Sequence, residues 1–284
     1  MAVIGTVKEI WRYPVKSMRG ERLDQCMIGD KGLVGDRGWA VRDDTVREIR
    51  SGRTMPGLLD CSATYLTEPR DEPYPAAMIT LPDGTQLASD SGEINGRLSE
   101  LVGKPVSVWP IVPPEDAEHY RRLPVDEESL RREFAREPGE PIPDLNQFPE
   151  ILMKYVSVPG TYFDVTPVQL LTTSSLAFMR SRNPDADWST LRFRPNILID
   201  TGEDPELIEN TWLGKTIRLG EAELACDAPS PRCAITIHSQ GDVIARDPSI
   251  LRTIVKDADQ NLGLYCNVGT TGVIRIGDEI TLVT

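Results

Sequence analysis

The sequence predicts a mainly β fold with added helices, an α+β chain with enough strands to close a β-barrel. Three observations predict it. β-branched and aromatic residues gather in short runs bounded by turn residues. Apolar residues at helical spacing are confined to a few short stretches. Hydrophobic residues make up 39% of the 284, ample for packed cores.

Val3 to Trp11 and Trp39 to Val41 read as strands, and Leu58 to Leu66 and Ala77 to Leu81 add two short apolar runs. Gly29, Gly32, Gly35 and Gly38 read as turns and points of close backbone approach. Glu93 to Leu101 fits a short helix with Leu98 and Leu101 on one face. From Pro113 to Pro149 proline and charge dominate, including Asp126-Glu127-Glu128 and Arg131-Arg132-Glu133, and Ser129 to Arg136 fits a solvated helix. This stretch is an insertion, either a plain solvated loop or a lid over a cleft. Thr172 to Arg182 fits a helix capped by Thr172 or Thr173, with Leu176, Phe178 and Met179 buried. Strands follow over Asn196 to Asp200, Thr216 to Leu219, Glu223 to Cys226 and Ala234 to His238, then a short helix over Ile250 to Lys256. Val273 to Ile276 and Glu279 to Val283, joined by Gly277-Asp278, complete a terminal hairpin. The expected units are 1–112, the insertion 113–150, and 151–284.

Composition removes several functions. Acidic residues outnumber basic ones by 44 to 31, a formal net charge of −13 that repels a nucleic-acid backbone. A local basic pocket for a small anion remains compatible with that balance. No signal peptide and no apolar run of about 18 residues is evident, so a cytoplasmic location is expected, with no membrane contact. The five cysteines, Cys26, Cys61, Cys226, Cys233 and Cys266, are odd in number and scattered, which fits reduced thiols. His119 and His238 are the only histidines, too few for a multi-histidine metal site. Gly103-Lys104 is followed by Pro105 and is no P-loop, and neither a dinucleotide-binding glycine motif nor a nucleophile elbow occurs. Cys226 and Cys233 are spaced wrongly for a zinc ribbon.

Four segments retain chemical interest. Tyr13-Pro14-Val15-Lys16-Ser17 places an ammonium, a hydroxyl and free backbone N–H groups in a turn suited to an anion, or is a plain exposed turn. Gly35-Asp36-Arg37-Gly38-Trp39 sets Arg37 between glycines that would admit a ligand; a surface Arg-Asp pair is the alternative. In Leu191-Arg192-Phe193-Arg194-Pro195-Asn196-Ile197, strand alternation places Arg192, Arg194 and Asn196 on one face. Such a face needs an anion or salt bridges. Pro229-Ser230-Pro231-Arg232-Cys233 presents a thiol on a stiff loop, with Arg232 expected to favour the thiolate; a buried structural cysteine is the alternative.

Together these segments resemble the MOSC family of molybdenum-cofactor proteins, in the branch with an N-terminal β-barrel domain. The resemblance extends through Gly32-Leu33, Pro56-Gly57-Leu58-Leu59, Leu170-Leu171-Thr172, Leu262-Gly263-Leu264-Tyr265 and Gly277-Asp278, so it spans nearly the whole chain. It implies a β-barrel MOSC domain plus an N-terminal β-barrel-like domain. It implies a molybdenum-pyranopterin cofactor, with Cys233 as metal ligand and catalytic residue. Lys16, Ser17, Arg37, Arg194 and Asn196 are implied as contacts to its phosphate and pterin, with Thr166 and Ser174 near such positions. Arg192 is implied to be structural. The implied reaction is a two-electron reduction of an N–O bond in a small-molecule substrate, with oxygen passing to molybdenum. The chain ends at Thr284 soon after the last expected hairpin, without an appended ferredoxin-like segment. A separate ferredoxin- or flavin-type electron donor is therefore expected. A cofactor carrier or sulfur-transfer protein using Cys233 without redox turnover is the alternative, and a non-enzymatic domain with an empty pocket a third.

Overall fold

The computed structural model describes residues 2–137, 140, 142 and 149–283. Val3–Arg12 forms a long strand, β1, in which a bulge between Val7 and Glu9 lets Val7 and Ile10 both point into a core. Short strands follow: β2 (Glu21–Leu23), β3 (Gln25–Gly29), β4 (Gly32–Leu33), β5 (Trp39–Asp43), β6 (Glu48–Ile49), β7 (Ser62–Tyr65), β8 (Ala77–Thr80) and β9 (Gln86–Ala88). Helix α1 (Ile94–Val102) and β10 (Val106–Pro110) complete the N-terminal half. Sheets β10-β5-β6 and β7-β8-β9 pack around Val15, Met18, Val41, Leu58, Ile79 and Leu98.

The described part of the insertion is ordered into a 3-10 turn (Ala117–Tyr120) and α2 (Glu127–Glu133), and α3 (Ile151–Lys154) follows directly after it. The rest of the expected insertion, 138–139, 141 and 143–148, lies outside the described residues. Beyond it come β11 (Val168–Thr172), α4 (Thr173–Arg182), β12 (Ile197–Asp200), β13 (Thr216–Leu219), β14 (Ala222–Pro231), α5 (Pro248–Asp257), β15 (Asn261–Thr270), β16 (Gly272–Arg275) and β17 (Glu279–Val283).

Seven strands close a barrel in the order β1-β12-β11-β15-β14-β13-β17, with β17 returning to β1. Only β11 and β12 run parallel in it, so their connection must cross over, and α4 supplies the crossover. Thr172 caps α4 by accepting from the Ser175 N–H, as its sequence position predicts. The barrel is filled by Leu170, Ile197, Ile217, Leu224, Leu264 and Ile280. Two strands cross the expected boundary at 112. β1 is a stave of the barrel, and β16 pairs with β3, so the halves are stitched together. Among the described residues no helix is long and apolar enough to cross a membrane.

Three expected elements differ. The terminal hairpin is absent: after the Gly277 turn, β16 pairs with β3 while β17 pairs with β1 and β13. Ala234–Ile237 is a 3-10 helix rather than a strand, because an apolar run this short has no decisive period. Thr190–Arg192 is also 3-10, and Arg194 has φ +54°, so the expected strand starts only at Ile197. Arg192 and Arg194 therefore do not alternate along a strand.

His119 is buried between Trp109, Tyr120 and Tyr162, and a ring nitrogen lies 2.8 Å from the Tyr162 hydroxyl. Burial, aided by Arg42, pushes its pKa down to about 4 from 6.5. A depressed histidine stabilises the fold fully above its unfolded pKa and progressively less as pH falls towards its folded one. Stability should therefore drop between pH 6.5 and about 4 by on the order of 3 kcal/mol from this group. Urea unfolding across that range should show a shallower pH slope in His119→Gln; an identical slope would remove His119 from the account.

Candidate functional site

The turn after β1 is fixed from three sides. The Tyr13 N–H donates to Asp36 Oδ1 at 2.7 Å, and the Arg37 N–H donates to Tyr13 O at 2.7 Å. The Tyr13 hydroxyl donates to Pro195 O at 3.1 Å. Asn196 Nδ2 donates to Asp36 Oδ2 at 3.0 Å, and the Arg37 guanidinium pairs with the same carboxylate. The Tyr13 ring then carries two guanidiniums, Arg194 at 4.4 Å and Arg37 at 5.1 Å from its centroid.

Seven of the expected site residues meet here. Lys16, Ser17, Arg37, Thr166, Arg194, Asn196 and Cys233 line one pocket, although they span more than two hundred positions. Three of them, Ser17 (φ +70°), Arg37 (φ +50°) and Arg194 (φ +54°), hold the left-handed backbone conformation that non-glycine residues rarely adopt. Five cationic side chains, Lys16, Arg37, Arg192, Arg194 and Arg232, line the pocket against one carboxylate, Asp164. Burial pulls the Arg194 pKa down to about 10. Among the described residues its one side-chain hydrogen bond is to Met18 O, at 2.7 Å, and no carboxylate pairs with it. Lys16 donates to Asp164 Oδ1 at 2.6 Å and Tyr162 O at 2.7 Å, yet burial still lowers its pKa. Burial works to raise the Asp164 pKa, but Lys16 and Arg53 outweigh it and hold the carboxyl below its ordinary range. A buried cationic surplus of this kind suits an anionic ligand.

Cys233 sits at the pocket's mouth, partly exposed, at the N-terminal edge of the 3-10 turn Ala234–Ile237. Beyond it opens a second cavity of about 340 Å³. The two share Asp164, Val165, Pro231, Cys233 and Tyr265, so the thiol faces both. Burial raises the Cys233 pKa, and Arg53 opposes this more than Arg232 does. The thiolate stabilisation expected of Arg232 has the expected direction but is the weaker of the two, and burial outweighs both; Arg232 is engaged elsewhere. Its guanidinium turns inward, donating to Leu262 O at 2.8 Å and Phe193 O at 3.0 Å. Among the described residues no three His, Cys, Asp or Glu side chains converge as a metal site. A metal at Cys233 would thus take its other ligands from a cofactor.

Ser174 is placed elsewhere. It opens α4, and its hydroxyl lies 2.8 Å from that of Thr201, outside the pocket lining. The glycines flanking Asp36-Arg37 also serve a different purpose. A Cβ on Gly35 (φ +84°) would come within 2.4 Å of Pro69, and one on Gly38 within 2.5 Å of the Tyr65 hydroxyl. Protein, not a ligand, occupies the space they leave. Sequence reasoning missed Arg53, Asp164 and Tyr265. Arg53 and Asp164 are lone polar residues in segments without a motif, Tyr265 stood only as part of a segment that carries the resemblance, and only the tertiary fold brings the three to the thiol.

Residues 4–94 match the model of the MOSC N-terminal beta barrel domain, and residues 159–281 match that of the MOSC domain. The chain belongs to the family of proteins that join these two domains. It is similar to mitochondrial amidoxime reducing component 2 of Bos taurus, 27% identical over 303 residues covering 98% of this chain and 83% of the relative. Mitochondrial amidoxime-reducing component 1 of Xenopus laevis is 26% identical over 99% of this chain and 83% of its own length. Component 2 of Homo sapiens is 25% identical over 98% and 83%.

Arg192 and Arg194 should separate on mutation. Arg192 is 1% exposed and binds Asp187 O, Asp187 Oδ2, Thr236 O and Ala245 O, tying three segments together. Arg192→Ala should cost about 3 kcal/mol of unfolding free energy by stranding those acceptors. Arg194→Ala should leave the fold largely intact and weaken binding of inorganic pyrophosphate about tenfold, read as a smaller ligand-induced rise in melting temperature. Loss of pyrophosphate response in a well-folded Arg192→Ala, with Arg194→Ala unaffected, would reverse the two roles.

Proposed function

We propose that this protein is a molybdenum-cofactor-binding oxidoreductase that reduces N-hydroxylated small molecules. One observation carries the reading: Cys233 stands at the junction of a cation-lined pocket and an apolar cavity. The residues fit such a cofactor. Arg194 is a buried cation that no carboxylate pairs among the described residues, matching a phosphate, and Lys16, held by Asp164, adds an ammonium to the same pocket. Arg37, Ser17, Thr166 and Asn196 add donors around a heterocycle, and the soft Cys233 sulfur suits a metal already bound by sulfur. When bound, the cofactor supplies a two-electron couple and an acceptor for the substrate's oxygen.

The chain's own contribution is positioning. Lys16 and Arg194 hold the anionic end, and their preorganisation costs nothing when substrate arrives. Asp36 keeps Arg37 and Asn196 aimed from one side. The apolar wall beyond Cys233 excludes water from the N–O group. The MOSC domain and the similarity to amidoxime reducing components support this assignment. The reading includes a separate ferredoxin- or flavin-type protein as electron donor and a cytoplasmic location. The second reading is a carrier or sulfur-transfer protein, favoured by the partial exposure of the Cys233 thiol.

Cys233→Ser replaces a soft donor by a hard one while the phosphate contacts remain. It should retain bound pterin and lose at least about a hundredfold in benzamidoxime reduction with a chemical electron donor. Cys226 is 1% exposed inside the barrel, so Cys226→Ser should lose stability rather than chemistry. Protein made in a host that synthesises the cofactor is assayed for molybdenum, pterin and turnover. Bound cofactor with no turnover of any N-hydroxylated probe would favour the carrier; full activity in Cys233→Ser would remove it as ligand.

A further inference from the structure

We infer that the apolar cavity beside Cys233 selects small substrates that carry a carboxylate, and that Arg122 is the residue that recognises it. The inference rests on the proposed reaction only for the identity of the reacting N–O group. The cavity wall is apolar: Leu123, Val125, Leu130, Phe134, Leu152 and Met153 line it. Its volume of about 340 Å³ is at the small end for ligand sites, room for one substituted ring rather than a peptide or nucleotide.

Four charged side chains interrupt the apolar wall: Arg53, Arg122, Glu133 and Asp164. Three of them satisfy one another. Arg53 lies 3.4 Å from Glu133 and 3.9 Å from Asp164, and Asp164 also holds Lys16 at 2.6 Å. Arg122 stands apart. Among the described residues its guanidinium makes neither a salt bridge nor a hydrogen bond, and its Nε is buried without a partner. The acids whose fields reach it, Glu133, Glu48 and Asp164, are already engaged, by Arg53, by Arg50 at 2.6 Å and by Lys16 at 2.6 Å.

The backbone fixes Arg122 in this position. Its N–H donates to Lys154 O at 2.8 Å, and the following Leu123 N–H donates to Glu48 Oε1 at 2.8 Å. Burial and Arg53 push the guanidinium's pKa down, as expected for a cation without a counter-ion. A fixed, partly desolvated and unpaired guanidinium in an apolar chamber is costly unless a ligand brings the missing anion. A carboxylate matches its planar fork, and the apolar wall takes the rest of the molecule. The reactive end is left to face Cys233.

The test compares benzamidoxime with 4-carboxybenzamidoxime in the cofactor-loaded protein, and benzoate with benzamide by calorimetry. The parent should show a KM about tenfold lower for the carboxylated probe, with similar kcat, and should bind benzoate but not benzamide. In Arg122→Gln the KM ratio should fall to near one and benzoate binding should weaken about tenfold, whereas Arg122→Lys should recover part of both. Arg122 does not line the anion pocket, so a dependence on it places benzoate in the apolar cavity. Equal KM values for the two probes in an active parent would overturn the inference while leaving the proposed reaction standing. Arg122-dependent benzoate binding in a protein that turns over neither probe would support the inference and overturn the reaction. A ratio unchanged in Arg122→Gln would overturn the role of Arg122.

Discussion

The carboxylate of Asp36 is the point from which the site is built. It is buried and accepts from the Tyr13 backbone, from Asn196 and from Arg37. Those three partners come from the end of β1, from the entry to β12 and from the turn between β4 and β5. A buried carboxylate is tolerated only when its lone pairs are met, and here the donors are themselves pocket residues. The same interaction therefore settles the charge and sets the geometry. It fixes the ring of Tyr13, on which Arg37 and Arg194 both lie, and so it spaces the cations that line the pocket.

The electrostatics of the interior and the surface oppose each other. The chain carries a net charge of −13, yet five cationic side chains and a single carboxylate line the pocket beside Cys233. At long range the surface repels an anion, while salt screens that repulsion beyond about 8 Å. Attraction takes over only at the pocket, where low dielectric magnifies each charge. The strained backbone at Ser17, Arg37 and Arg194 belongs to the same arrangement, since each holds a polar side chain where a relaxed conformation would aim it elsewhere.

Much of this was legible in the sequence, and the exceptions are physical. Thr216–Leu219 and the helix capped by Thr172 stand where local pattern sets them, because alternation and capping are short-range signals. β15 passed unnoticed: Gly263, Asn267 and Gly269 dilute its β-forming residues, and its pairing with β11 and β14 decides the matter instead. The Gly277 turn was visible, but a turn signal does not say which partners its flanking strands take. At the site, Lys16, Arg37, Arg194 and Cys233 belong to motifs with unusual local chemistry. Arg53, Arg122 and Asp164 do not, and their meaning arises only from what tertiary packing sets beside them, or fails to.

The placing of β1 sets a schedule for biosynthesis. It leaves the ribosome long before its barrel neighbours β12 and β17. Only β2 is at hand to pair with it early; the rest of its edges must wait until β12 and β17 have been made. Barrel closure is thus a late event, and so is the pocket, whose walls are drawn from residues as far apart as Lys16 and Tyr265. A nascent chain cannot capture an anionic ligand piecemeal: loading follows synthesis of the last barrel strand, and the aggregation-prone interval before it lasts as long as translation from β1 to β17.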